Sequence, residues 1–506
     1  MTFLFNMIIE QSTFPSIWKL FKIIALYKSK GSKEDPSNFR PIALLNPLSK
    51  LIEMELHEQI DEHMKKNNLW SRQIYAYKKN HNTTSALMDI IECWSDNINN
   101  NIQNLTLFLD MSSAFDCVSH QSLETKMKIY NFSDQSVGVM SSYLSFRSQA
   151  VMVGGKLSDF LWVKNGVAQG SIIGPLMYNL YTQEIPHILD MECPHRDSST
   201  NESEYLFEYP CVNCGTSFSY ADDTSINIRI HSGDTDEKVA YKVDTILSFL
   251  EEFLRLNNLK MNTGKTIIMR VTTRQKCAKN SEGIKLNTKN DKGKNIEPSE
   301  YAKLLGITLN KNLNWSYHLE KGKQGIINKC KKKLGALKYV ANQASLDTKK
   351  RLVEGCIMSV LIYGIQCWGL MAPKTTLMGV QRVQNLAACW ILSKPKWTKT
   401  SQLLSELNWM SIFQLTFYHS LTSIWNIFKN GEPHNNMKNL TENKNNSGRI
   451  KLTSKIWSKK AKDMFFQLPT DVTSAKNISI FKRRLKNWIL KNIPIRENEN
   501  EIISNA

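Results

Sequence analysis

The chain has no apolar run fit to cross a bilayer. The uncharged apolar run from Cys356 to Ala372 is short for a span and broken by Gly, Ser and Gln. A membrane partner is therefore not expected. Met1 to Ile9 is apolar but lacks a basic n-region and a cleavage site, so it does not read as a secretory signal. Cysteine is thin: ten residues scattered through 506, with no dense framework. That excludes a disulfide scaffold and makes reduced thiols in an intracellular compartment the expectation. No internal repeat is visible. Acidic residues are in deficit, 46 Asp and Glu against 65 Lys and Arg, for a net charge of +19. An excess of that size favours a polyanionic partner, and nucleic acid is the commonest one. Hydrophobic residues make up 42%, enough for a sizeable core and too many for a wholly disordered chain. The length suggests about three domains.

Local patterns divide the chain. Phe3, Leu4, Met7 and Ile8 recur at helical spacing, and Pro15 marks the end of that region. Ile23 to Tyr27 is a short β-prone run, and Leu48 to Met64 is an amphipathic helix with Leu51, Ile52, Leu56 and Ile60 on one face. Between residues 105 and 275 strands interleave with helices, which indicates an α+β domain. Leu105 to Leu109 reads as a buried strand. Val151 to Val153 and Phe160 to Val163 read as strands about a Gly154-Gly155 turn. Gly174-Pro175 opens a helix. Phe218 to Tyr220 and Thr224 to Ile228 flank a tight turn, Val239 to Leu256 is a long amphipathic helix, and Ile267 to Val271 is another strand. The polar stretch from 273 to 300 reads as a loop or linker. A short strand, Leu304 to Leu309, precedes a largely helical remainder, interrupted by the Asn- and Lys-rich stretch Asn435 to Arg449.

Two segments carry chemistry. Leu107-Phe108-Leu109-Asp110 is an apolar strand ending in a carboxylate, which puts the acid at a sheet edge facing a cleft. Tyr220-Ala221-Asp222-Asp223-Thr224 holds two adjacent acids at a hairpin turn. If the two segments are neighbouring strands, Asp110 and Asp222 meet, and their mutual repulsion calls for cations. Hard oxygen ligands suit Mg²⁺ or Mn²⁺. Two such ions about 3.5–4 Å apart can clamp the attacking and leaving oxygens of a phosphoryl transfer. Taken alone, an Asp-Asp pair is more often a solvated turn.

The order of motifs decides between the two readings. FLDMSSAFD (108–116), NGVAQGSIIGPLMYNLY (165–181), YADDT (220–224), LKMNTGKT (259–266) and KLLGITLNKNLNWSYHL (303–319) together resemble reverse transcriptases, specifically those of non-LTR retrotransposons of the jockey type. FPSIWKLFKIIALYKSKG (14–31) and NFRPIALLNPLSKLIE (38–53) are similar to the fingers motifs of that family. QRVQNLAACWIL (381–392) and LNWMSIFQLTFYHSLTSIWNIFKNGEP (407–433) are similar to its C-terminal helical region.

The resemblance implies a right-hand polymerase core: partial fingers over 1–104, and a palm with an antiparallel sheet over 105–275. A polar linker (276–300), a primer-grip hairpin and helical thumb (301–372), a helical C-terminal region (373–495) and a disordered tail (496–506) would follow. It implies RNA-directed DNA polymerase activity on an RNA template, a DNA primer or target, and deoxynucleoside triphosphates. Asp110 and Asp222 would hold two Mg²⁺ or Mn²⁺ ions with support from Asp223, and Lys265 would sit near the leaving pyrophosphate. Lys28 and Arg40 would contact the triphosphate. Phe115 would lie under the sugar and exclude a 2′-hydroxyl; the segment Ser113 to Asp116 also fits a capping box with a core Phe. Gln169 and Gly170 would line the nucleotide pocket, Gly170 by allowing close backbone approach. Leu305-Gly306 and Trp315 would form the primer-gripping hairpin, although Trp315 fits a core position equally. The stretch Glu320 to Arg351, with ten Lys or Arg and two acids, would track a nucleic-acid backbone.

The sequence departs from the family in places. Tyr181 to Ile185 lacks the usual Asn or Ser followed by Asp, and Asn310 replaces a frequent Asp. The absence of an upstream endonuclease and of further fingers sequence suggests a truncated copy of an element. A decayed, non-catalytic nucleic-acid-binding remnant is accordingly the alternative, and an intron-type maturase a weaker one. An insertion over 187–218 carries Cys193, His195, Cys211 and Cys214, a C-x-H…C-x-x-C set of the kind that holds a structural Zn²⁺. Nucleus and cytoplasm are the compartments the resemblance implies.

Overall fold

The computed structural model describes residues 2–29, 31–112, 114–186, 215–231, 233–262, 265–272, 284–285, 295–296, 298–320, 325–430 and 457–495. Two five-stranded sheets organise the first 271 residues. The first contains β1 (Leu20–Tyr27), β2 (Phe39–Leu44), β4 (Arg147–Val153), β5 (Lys156–Leu157) and β6 (Leu161–Val163). β1 pairs antiparallel with β2 and parallel with β4, and β4 pairs with both β5 and β6. This sheet therefore draws on both sides of residue 104, where the sequence suggested a change of domain. Its small core is Phe21, Ile23, Ala43 and Leu45.

The second sheet runs in the order β10 (Ile267–Val271), β3 (Gln103–Ser112), β8 (Asp223–Ile230), β7 (Gly215–Tyr220), with β9 (Lys260–Met261) paired to the end of β3. Alternation along β3 sends successive side chains to opposite faces. Leu105, Leu107 and Leu109 join Ile226, Ile228 and Ile230 in one core, covered by α5 (Asp134–Leu144), α6 (Gly174–Thr182) and α7 (Asp236–Leu256). Phe108, Phe218 and Met269 join the other core with Trp94 and Leu87 of α3 (Thr83–Asn99) and many residues of the C-terminal helices. Three buried amides and a threonine on that second face are joined: Asn97 and Asn227 both donate to Asn104 Oδ1, at 2.6 and 3.0 Å, and Thr106 donates to Asn227. A buried amide without such partners would cost about 1–3 kcal/mol.

Helix starts follow local chemistry. Asn46 caps α2 (Pro47–Lys66) ahead of a proline at the first position, and Asn82 and Ser85 form a reciprocal capping box on α3. Beyond residue 272 the structure settles or changes the sequence reading at three points. Ile284–Lys285 pairs with Asn295–Ile296 (β11 and β12) inside the stretch read as linker. The run read as one strand, Leu304 to Leu309, is a hairpin of β13 (Tyr301–Leu304) and β14 (Ile307–Asn310), turning at Leu305 and Gly306 with φ of 45° and 84°. Trp315 is 2% exposed and belongs to the core rather than to the hairpin's surface. Helices including Ile326–Val340, Leu346–Val353, Lys374–Ile391, Thr400–Leu407, Ile412–Asn430 and Ile478–Asn492 complete the chain. No described helix is long and apolar enough to cross a membrane.

Candidate active site

The register of the second sheet brings the acids together. Asp110 on β3 lies directly opposite Asp223 on β8, and Asp223 in turn closes the β7–β8 hairpin against Tyr220. Ala221 and Asp222 are the two turn residues. Ala221 has a φ of 56°, left-handed backbone that a side chain tolerates only at a cost of order 1–3 kcal/mol. Asp222 is exposed at the tip, yet protein packed about the turn still desolvates its carboxyl and raises its pKa. The charge of Asp110 adds to that rise, and Arg40 and Lys265 pull against it. Asp223 is pushed up to about 6, first by desolvation and then by the charges of Asp222 and Asp110. Three acids are thus crowded into a place where ionising all of them is costly without a cation.

Lys265 supplies one positive charge, its Nζ standing 2.7 Å from Asp110 Oδ2. The same carboxyl oxygen is 3.4 Å from Asn262 Nδ2, and the Asn262 backbone N–H donates to the Asp110 carbonyl at 2.8 Å. Lys265 N–H donates back to the Asn262 carbonyl, so one turn fixes both side chains. Sequence reasoning missed Asn262, although it lies inside LKMNTGKT.

An aromatic cluster adjoins the acids. Phe115 stacks on Tyr178 of α6 with ring centroids 4.7 Å apart and meets Tyr77 edge-on at 6.5 Å. Both tyrosine hydroxyls are raised, chiefly by desolvation and then by the charge of Asp222, which places them beside the hairpin turn. Phe115 is half-buried and precedes α4 (His120–Ile129), whose cap is Ser119. Tyr77 and Tyr178 were not singled out from sequence. The signal available for Tyr178 was its place in the motif at 165–181.

A third group ties the first sheet to this site. The Gln169 carbonyl accepts from Ala43 N–H at 2.7 Å, next to the strand segment bearing Arg40, and Gln169 Nε2 reaches Asp116 at 3.3 Å. Gly170 has a φ of 124°, and a Cβ there would stand 2.8 Å from the Ala43 carbonyl oxygen. Glu53, fully buried on α2, accepts from Ile172 N–H at 2.8 Å and from Ser49 Oγ at 2.9 Å. It was also missed, because one acid on an amphipathic helix looks like part of its polar face. Lys28 is not gathered in: its Nζ donates to the Ser37 carbonyl at 2.8 Å, and its charge acts on Asp35 of the same loop. Cys193, His195, Cys211 and Cys214 lie outside the described residues.

The donor set at the hairpin is all carboxylate oxygen, which suits a hard divalent ion. Among the described residues no three His, Cys, Asp or Glu side chains form a ready-made metal cage. A partial shell is still compatible with Mg²⁺, which keeps several waters and completes its coordination on substrate phosphates.

Comparison with known proteins agrees with this arrangement of motifs. Residues 29–309, more than half of the chain, match the model of the family described as reverse transcriptase (RNA-dependent DNA polymerase). The chain belongs to that family. It is 28% identical over 416 residues to a probable RNA-directed DNA polymerase from transposon BS of Drosophila melanogaster, covering 80% of this chain and 42% of that protein. Against the RNA-directed DNA polymerase from mobile element jockey of the same species it is 24% identical over 407 residues, 80% of this chain and 41% of that one. The chain thus spans about two fifths of the length of these curated relatives. A solved structure of apo telomerase from Candida tropicalis aligns with a TM-score of 0.42 at 12% identity, covering 84% of this chain and 68% of that one.

Proposed function

We propose that this chain is an RNA-directed DNA polymerase of a mobile element, joining deoxynucleotides to a primer 3′-hydroxyl on an RNA template. The observation that carries the reading is the juxtaposition of Asp110 and Asp223 across β3 and β8, with Asp222 at the turn between β8 and β7. The β3–β8–β7–β10 sheet would be the palm, the β1–β2–β4 sheet part of the fingers, and the helices after β14 a thumb and C-terminal region.

Asp110 and Asp222 would hold divalent ions with Asp223 in support; when bound, such ions neutralise the charge at the attacking and leaving oxygens of the transfer. The chain's own groups do the rest. Arg40, exposed on β2 and close enough for its charge to act on Asp222, would bind phosphate through its planar fork. Lys265 would hold a positive charge, and a proton on Nζ, beside the departing pyrophosphate. The half-buried Phe115 ring, braced on Tyr178, would set the floor under the sugar. The backbone of 169–170, held against Ala43, would orient the base. Binding energy spent on this alignment lowers the barrier by proximity and electrostatic preorganisation.

Extension of oligo(dT) on poly(rA) with Mg²⁺ tests the reading. The unmodified chain should extend the primer. Asp110→Asn and Asp222→Asn should each lower the rate by about 10²-fold or more while the far-UV spectrum is unchanged. Undiminished extension by the Asp222→Asn protein overturns the assignment.

A further inference from the structure

Trp397 is 86% exposed, more than Trp162 at 66%. A single exposed ring is ordinary by itself; what sets this one apart is its support and its neighbours. The loop that carries it, residues 393–399, is firmly built. Lys394 N–H donates to the Cys389 carbonyl at 2.9 Å, Cys389 Sγ to the Pro395 carbonyl at 3.3 Å, and Thr398 Oγ1 to the same carbonyl at 2.7 Å. Lys394 pairs with Glu406 on the following helix, and Thr400 accepts from Asn385 on the preceding one. The ring is therefore presented on a fixed support. On either side of it Lys396 and Lys399 are exposed.

The neighbouring surface is basic too. The charge of Lys338 reaches the Cys389 thiol, which places the end of helix Ile326–Val340 beside this loop. That helix carries Lys329, Lys331, Lys332, Lys333 and Lys338, and its last turn includes Tyr339, which is 92% exposed. Aromatic rings interleaved with lysines fit one class of ligand well. Bases stack on the rings, the lysines meet the phosphates, and neither needs a particular sequence. A duplex hides the faces of its bases, so the ligand must be single-stranded.

We propose that the Trp397 loop, with Lys396 and Lys399, is a second nucleic-acid contact that stacks a base of single-stranded RNA or DNA. It lies beyond residues 29–309, the part that matches the reverse transcriptase family, and does not rest on the polymerase reading.

Fluorescence anisotropy with labelled single strands of about 15 nucleotides, one RNA and one DNA, tests it on the full chain. Divalent ions and nucleotides are left out, so the outcome is independent of polymerisation. Trp397→Ala should weaken binding of at least one strand about tenfold, and Trp397→Phe should retain most of the affinity, because a smaller ring still stacks. Lys396→Ala with Lys399→Ala should reduce the slope of log affinity against log salt by about 1.4, two phosphates at roughly 0.7 each. The RNA and DNA arms separate the two sources of strand. Unchanged affinity of the Trp397→Ala protein for both strands overturns the proposal. So does an equal loss on a blunt duplex, which has no free base to stack.

Discussion

Replacing Asp223 by Asn should make the metal-free protein more stable while making it a poorer enzyme. The carboxyl is pushed from 3.8 up to about 6, first by desolvation and then by Asp222 and Asp110. A rise of that size corresponds to at most about 3 kcal/mol against the ionised folded state. Asp223 is only partly buried, and water screening brings the figure to about 1–2 kcal/mol. The sign follows from linkage. Below about pH 4 the group is protonated in both folded and unfolded chains and costs nothing. Between 4 and 6 the unfolded chain ionises first, and above 6 the full penalty is present. Asp223→Asn should therefore melt about 1–2 °C above the parent at pH 8, given a melting entropy near 2.1 cal/mol/K per residue, and the difference should vanish near pH 4. Added Mg²⁺ should raise the parent's melting temperature more than the variant's, narrowing the gap. Paired thermal melts at pH 4, 6 and 8 with and without Mg²⁺ are the assay. No gain at pH 8, or a gain that persists unchanged at pH 4, refutes the crowding argument.

Two further perturbations probe the surroundings of the acids. Phe115→Val removes a ring stacked on Tyr178 and should raise ribonucleotide over deoxynucleotide incorporation about tenfold in competition assays; an unchanged ratio would leave Phe115 a packing residue only. Glu53→Gln puts an amide where a buried carboxylate now accepts from Ile172 and Ser49, so the 169–172 loop should loosen at a cost of about 1–3 kcal/mol. Because Glu53 acts through that loop, the nucleotide KM should rise more than kcat falls, and a fall in kcat alone would count against a positioning role.

Much of the second sheet was legible because its signals are local. Short apolar or β-prone runs, buried at most positions, mark Leu105 to Leu109, Ile226 to Ile230 and Ile267 to Val271, and the last of these was read to the residue. The first sheet was read only as separate strands, since its defining pair, β1 with β4, joins segments more than 120 residues apart and leaves no trace in local pattern. The β13–β14 hairpin was expected from the resemblance, at Leu305-Gly306, while local pattern alone read Leu304 to Leu309 as one strand. Its turn, Leu305-Gly306, puts a bulky apolar residue at positive φ, where turn chemistry predicts Asn or Asp. Asp110, Asp222, Asp223 and Lys265 were found through motif order, and the structure brings those four side chains close. Lys28 was chosen on the same grounds and lies bonded within its own loop, because sequence spacing fixes which strand a lysine follows but not where its flexible side chain turns.

Two kinds of local rule fail together at the acids. Ala221 and Tyr77 both occupy left-handed backbone, at φ of 56° and 58°, and Asp222 and Asp223 are adjacent like charges facing a third. Gly170 takes a φ that other residues avoid, at the point where the loop meets β2. The left-handed backbone at Ala221 and Tyr77 and the crowded charges each work against folding, by an amount of order 1 kcal/mol or more. In the core beneath, Leu105, Leu107 and Leu109 share one face, and the buried amides of Asn97, Asn104 and Asn227 are paired. Strain and repulsion survive selection where the surrounding structure holds them and something is gained from them. A turn that points two acids at a third gains nothing in an empty protein. Its stability returns only when positive charge arrives, which is the condition under which a triphosphate and its counter-ions would also be held.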